Sequence, residues 1–155
     1  MNIVSGAHYP ASALSNFAPH PFEFDGVRIA SMEGFLQSLK FSNPEMQQHV
    51  CTLVGRAAKR MGTGKNWQRK GTLHWQGAVI DRFSDEYQQL LDRVFERLFT
   101  TNQSAANALL ATGSAVLQHS IGKKSPKETI LTRSEFCSRL TRIRALLLAQ
   151  YRSPA

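Results

Sequence analysis

The stretch Phe22-Glu23-Phe24-Asp25-Gly26-Val27-Arg28-Ile29 constrains this chain more than any other. Apolar and polar residues alternate on both sides of Asp-Gly, and those two residues tolerate the positive φ that a type I′ turn requires at both central positions. A small antiparallel hairpin is therefore expected early in the chain. Asn2 to Val4 can add a strand.

From Ser31 onward the hydrophobic period is helical. Ser31 is placed to cap a helix within SMEGFLQSLKF, residues 31 to 41. Asn43-Pro44-Glu45 then supplies a cap, a first-turn proline and an acid near the positive end of the next helix dipole. A third helix is expected from Val54 to Met61, stopped by Gly62. After Ser84 the residues Tyr87, Leu90, Leu91, Val94, Phe95 and Leu98 form a single apolar stripe. A shorter helix from Ser104 to Ala111 ends at Thr112-Gly113, where glycine can take the left-handed conformation. Thr132 and Glu135 make a capping box ahead of the stripe Phe136, Leu140, Ile143 and Leu147. Helices outweigh a small antiparallel sheet, so the expected class is α+β, mainly helical, with one domain over residues 1–155.

A chain of this length buries roughly 70% of its unfolded surface on folding and needs no staples. Cys51 and Cys137 are too few and too far apart for a disulfide scaffold, and both are expected as buried small hydrophobes in a reducing compartment. His8, His20, His49, His74 and His119 show no metal-ligand spacing and are expected to be structural or exposed. The opening MNIVSGAHYP has neither a basic nor an apolar targeting segment, and runs such as ALLLA, residues 145 to 149, fall far short of the ~20 residues a membrane span needs. A cytoplasmic protein without membrane contact is expected. The net charge of +8 favours anionic partners, either a nucleic acid or a phosphate-bearing small molecule.

On the helix of SMEGFLQSLKF, the apolar Met32, Phe35, Leu36 and Leu39 share one side, while Glu33, Gln37 and Lys40 share the other. Glu33 and Lys40 are two turns apart, roughly 10 Å along the axis, a spacing suited to gripping two parts of one ligand. An ordinary solvated face is the competing explanation. Gly34 counts against it, because glycine inside a short helix often marks the close approach of something else. Two further stretches, GTGKN at 62 to 66 and GKKS at 122 to 125, resemble phosphate loops but fail the G-x-x-x-x-G-K-[ST] pattern, which argues against a nucleotide triphosphatase. They read chiefly as solvated loops, with loose phosphate binding as the alternative. Trp67 and Trp75 flank the basic segment NWQRKGTLHW and are candidates either for stacking on a base or for anchoring the core.

These pieces occur in the order LSNFAPHPFEFDG, SMEGFLQSLKF, AAKRMG, a tryptophan segment and ALLATGSAVLQHSIG. That order resembles the NADAR (NAD- and ADP-ribose-associated) superfamily of YbiA-like N-glycosidases, over nearly the whole chain from Leu14 to about Arg144. The resemblance implies cleavage of an N-glycosidic bond to ribose, without cofactor or metal. The implied substrate is a phosphorylated ribosyl or ADP-ribosyl small molecule, such as ADP-ribosylated guanine or a riboflavin-pathway intermediate, or else an ADP-ribosylated nucleic acid. It assigns catalysis to Glu33 and Lys40 and substrate binding to Asn16, Phe17, Gln37, Gly62 and a tryptophan. Trp75, nearer the following helix, is taken for that stacking role, with Trp67 the alternative. Two departures stand out. Gly34 replaces the family's usual histidine, and His119-Ser120-Ile121-Gly122 with the lysine loop replaces an acidic D-x-x-W-G-x-G segment.

The residue types suit such chemistry independently. Breaking a C1′–N bond develops oxocarbenium character, which a carboxylate can stabilise while it orients or deprotonates water. A lysine can form a Schiff base with the ring-opened sugar or bind phosphate as a cation. The rival from another class is a non-catalytic module that binds ADP-ribose or nucleic acid through the basic loops and tryptophans.

Overall fold

Asp25 and Gly26 both take positive φ, 49° and 78°. The hairpin they allow pairs β1 (Phe22–Phe24) with β2 (Val27–Ile29), and Phe22, Phe24 and Ile29 point into the core. The computed structural model of the protein describes residues 1–152; positions 153 to 155 of the expected domain lie outside the described residues. A one-turn helix, α1 (Ala11–Leu14), precedes the hairpin, and α2 (Met32–Ser38) follows it directly. The Ser31 hydroxyl caps α2 by accepting from Gly34 N at 3.1 Å. Asn43 likewise caps α3 (Pro44–Cys51), accepting from Glu45 N and Met46 N. The helix α4 (Gly55–Gly62) completes a three-helix group in which α2 is flanked by the other two.

Gly34 lies inside that group. A Cβ there would sit 2.6 Å from the Leu53 carbonyl and 2.9 Å from that of Val50, both backbone atoms that cannot step aside. The close approach expected of this glycine is thus made by the loop after α3 and not by a ligand. Any side chain at position 34, histidine included, requires that loop to move.

After a single 3₁₀ turn (Trp67–Arg69), a second hairpin pairs β3 (Thr72–Trp75) with β4 (Ala78–Asp81). Its turn, Gln76-Gly77, takes φ values of 48° and 85°. Glutamine rarely adopts that conformation, so local sequence does not announce the turn. Tertiary bonds hold it: Gln76 N donates to Gln47 Oε1 at 3.1 Å, and Gln76 Nε2 to the Asp25 carbonyl at 2.9 Å. The structure therefore has two small sheets where one was expected, within the expected α+β class. Asn2 forms one parallel bridge to Gln118 and joins neither ladder.

The long helix α5 (Asp85–Thr101) buries the whole expected stripe from Tyr87 to Leu98. Each such side chain stabilises by roughly 1.5 to 3 kcal/mol. It leads into α6 (Gln103–Ala111) and, after a long connection, into α7 (Arg133–Arg152). The capping box of α7 forms reciprocally, Thr132 N to Glu135 Oε1 at 2.8 Å and Glu135 N to Thr132 Oγ1 at 3.1 Å. Cys51 is buried as expected, but Cys137 on α7 is only half-buried, since it faces the edge of the α6–α7 connection. Among the described residues no helix is long and apolar enough to cross a membrane.

One buried charge ties the connection down. Arg82, 1% exposed, forms a two-pronged pair with Glu135 at 3.0 and 2.7 Å, and its Nε donates to the Thr129 carbonyl at 3.0 Å. The Tyr87 hydroxyl donates to the neighbouring Ile130 carbonyl at 2.5 Å. Residues 129 to 131 are thereby fixed as one wall of the cavity described next.

Candidate functional site

The polar side of α2 does not face open solvent. It forms the floor of a cavity of about 440 Å³, within the usual range of small-molecule sites. The turn after α1 supplies Asn16 and Phe17, held against the helix start because Glu33 N donates to the Asn16 carbonyl at 3.0 Å. Glu33 and Gln37, one helical turn apart, are joined by Gln37 Nε2 donating to Glu33 Oε1 at 2.8 Å. The other carboxylate oxygen of Glu33 takes no hydrogen bond from the described residues. Lys40, just past the helix end, makes no ion pair with Glu33; its Nζ reaches the Gly62 carbonyl at 3.5 Å, the limit of a weak contact.

Gly62 explains how these groups fit. A Cβ at that position would stand 1.7 Å from Gln37 Oε1 and 3.1 Å from Lys40 Cδ. Absence of a side chain there lets the amide of Gln37 lie under α4, where its Oε1 is buried without a partner. The close approach expected at Gly62 is thus that of Gln37, which in turn orients Glu33. The substitution Gly62→Ala should displace the amide, free the Glu33 carboxylate to rotate, and lower by about tenfold or more any turnover that depends on Glu33. Steady-state kinetics beside a thermal melt checks this; a fully active variant would show that Gln37 does not position the acid.

Burial dominates the electrostatics of Glu33 and pushes its pKa up. The Gln37 hydrogen bond and the charges of Lys59, Lys40 and His119 pull it partly back. Burial likewise pushes Lys40 down, opposed by Glu33 and reinforced by Lys59. Both groups are therefore easier to neutralise than their exposed counterparts, as proton-transfer and nucleophilic roles require. The rim is basic. Lys59 comes from α4, Lys65 from the following loop, where its ammonium lies 4.9 Å from the Phe41 ring centre, and Lys123 from the connection before α7.

Six of the seven residues assigned from the sequence line this one cavity: Asn16, Phe17, Glu33, Gln37, Lys40 and Gly62. Trp75 does not. It is 5% exposed, stacks on Phe24 at 5.9 Å and meets Phe35 edge-on at 5.0 Å, and its Nε1 donates to Asp25 Oδ2 at 2.9 Å. The alternation of the unannounced β3 turns this ring into the core, so Trp75 is a core anchor and Trp67 is the tryptophan at the cavity. Both glycine-lysine loops contribute to the rim, through Gly64, Lys65, Gly122 and Lys123. His119, expected to be structural or exposed, is also in the cavity wall. Neither its spacing nor any local periodicity marks it in the sequence. Among the described residues no group of three or more His, Cys, Asp or Glu side chains is close enough to hold a metal ion.

A family model described as bacteriophage protein GP30.3 matches residues 8–145. The chain belongs to that family. A 17.1 kDa protein in the Gp30–rIII intergenic region of Enterobacteria phage T4 is 37% identical over 146 residues, covering 93% of this chain and 96% of the phage T4 protein. The solution structure of the E. coli protein YbiA superposes with a TM-score of 0.66 over 100% of this chain and 88% of YbiA, at 17% identity. The chain thus has the YbiA-like fold that its resemblance to the NADAR superfamily implied.

Proposed function

We propose that the protein is an N-glycosidase that hydrolyses the bond between ribose C1′ and a nitrogen base in a phosphorylated, ADP-ribose-type substrate, such as ADP-ribosylated guanine or a riboflavin-pathway intermediate. The observation that carries this reading is the Glu33 carboxylate, oriented by Gln37 through one oxygen and open at the other, on the floor of a cavity rimmed by lysines. In this role Glu33 stabilises the developing oxocarbenium ion and takes a proton from water. Lys59, Lys65 and Lys123 attract the phosphates, Trp67 and Phe17 border the base and sugar, and Lys40 either forms a Schiff base with the ring-opened ribose or holds a phosphate as a cation.

The test is incubation with ADP-ribosylated guanosine, an ADP-ribosylated DNA oligonucleotide and a phosphoribosylated aminopyrimidine, with mass spectrometry of the fragments. Release of free base is expected, and Lys40→Ala should lower it at least about 100-fold. Borohydride separates the two actions of Lys40: a reduced adduct marks a Schiff base, and its absence marks a cation holding phosphate. No release from any compound, or full activity without Lys40, would remove the assignment.

A second reading, a non-catalytic ADP-ribose or nucleic-acid binding module, has one observation in its favour. Arg56, Lys59 and Arg60 share a face of α4 beside Phe17 in a shallow groove of about 390 Å³, and none pairs with a carboxylate among the described residues. Tight binding of ADP-ribose with no product after long incubation would favour that module, and affinity falling steeply with salt would point to nucleic acid.

A further inference from the structure

We infer that His119 donates the proton that the departing nitrogen of the glycosidic bond needs. The inference rests on the N-glycosidase reading and adds to it the acid that complements Glu33. His119 is not a casual member of the wall. Its Nδ1 is 2.7 Å from the Ile3 carbonyl, and a carbonyl can only accept, so Nδ1 carries a hydrogen and donates it. The other nitrogen, Nε2, makes no hydrogen bond to the described residues and belongs to a side chain that lines the cavity. With Nδ1 committed to the Ile3 carbonyl, Nε2 is the nitrogen available to a bound molecule.

The ring is also held in place. It meets Phe136 edge-on at 5.2 Å, and it packs so closely over Gly122 that a Cβ there would lie 2.5 Å from its Cδ2. Arg133 clamps the same segment, its Nε and Nη2 donating to the carbonyls of Gly122 and Ser120. The parallel bridge between Asn2 and Gln118 brings Ile3 alongside. Three distant parts of the chain therefore converge to fix one imidazole. It lines the same cavity as Glu33, and the two form no ion pair.

The other cavity groups are less suited to the task. Lys59, Lys65, Lys123 and Glu128 are exposed on the rim, and the Lys40 ammonium is drawn to the Gly62 carbonyl. In the reaction the C1′–N bond breaks with its electron pair passing to nitrogen, which takes the Nε2 proton. A water oxygen bonds to C1′ and yields its proton to Glu33. Solvent then carries that proton from Glu33 back to His119, so atoms and charge balance over one turnover.

The test compares His119→Asn and His119→Ala with wild type, on ADP-ribosylated guanosine first and otherwise on whichever compound of the panel wild type cleaves. An asparagine amide can still donate to the Ile3 carbonyl, so His119→Asn should fold normally while kcat falls about 10²- to 10⁴-fold and KM changes by less than about threefold. Added imidazole should restore the His119→Ala rate by about tenfold or more, a readout that a merely structural role would not move. Rates of both variants near wild type, a rise in KM alone, or a folded His119→Ala protein indifferent to imidazole would each overturn the inference while leaving the N-glycosidase reading intact. No cleavage by wild type of any compound overturns both.

Discussion

Replacing Glu33 by glutamine should cut base release by about 10³-fold or more while making the folded protein more resistant to heat near neutral pH. The catalytic loss follows because the amide can neither take a proton from water nor place a negative charge beside the oxocarbenium ion, and general-base effects alone reach about 10² to 10⁴. The fold should survive, since the amide oxygen of a glutamine at position 33 can still accept from Gln37 Nε2. The gain in stability follows from the raised pKa of Glu33. A carboxyl that holds its proton more tightly in the folded chain than in the unfolded one favours folding fully below the ordinary glutamate value, and that advantage disappears as pH rises through the folded value. Glutamine has no charge to desolvate. Melting curves of the two proteins should therefore diverge in favour of Glu33→Gln as pH rises through this window and run closer together below it. A variant that is active, or one less stable than wild type at neutral pH, would show that Glu33 is not the desolvated catalytic carboxylate.

Arg82→Met should be the most damaging single change to stability. Removing one partner of a buried pair leaves the other unpaired, at a cost of about 3 to 5 kcal/mol. A domain of this size has only about 5 to 15 kcal/mol in total, and the melting temperature should fall by about 6 to 20 °C. Here the orphaned group is Glu135, 13% exposed, whose pKa burial alone would raise but which hydrogen bonds from Arg82, Gln88 and Thr132 hold below the ordinary range. That depressed value adds stability above the ordinary glutamate value, and the addition is lost as pH falls through the folded one. Wild type should therefore lose stability in acid more steeply than Arg82→Met. The loss of Arg82 also releases the Thr129 carbonyl, so the cavity wall loosens and KM should rise in whatever fraction stays folded. The double variant Arg82→Met, Glu135→Leu should recover part of the lost stability, because it leaves no unpaired buried charge. Chemical denaturation of the three proteins measures all of this; a shift below about 1 kcal/mol for Arg82→Met would show that the pair is not buried as described.

Reading ahead from the sequence worked best where an element's cause is local. The Asp25-Gly26 turn, the Ser31 and Asn43 caps, and the Thr132–Glu135 box each involve residues within four positions of one another, and all form. It failed at Gln76-Gly77, where the bonds that stabilise an unfavourable φ come from Gln47 and Asp25. The error over Trp75 has the same origin. Which face of β3 is inward is decided by the hydrophobic surface beneath it, and without the strand the choice between two tryptophans had no basis.

For the site, the period of α2 alone determines that Glu33, Gln37 and Lys40 share one face, because the helix repeat depends on nothing outside the helix. Whether that face is solvent surface or cavity floor is a different matter. It is decided by the segments that rise around it, residues 15–17, 59–68 and 119–131, of which the first is tied by Glu33 N to the Asn16 carbonyl and the last by Arg82, Arg133 and the Asn2–Gln118 bridge. Contacts over such separations in the chain leave no local periodicity, so tertiary packing alone decides that His119 and not Trp75 lines the cavity.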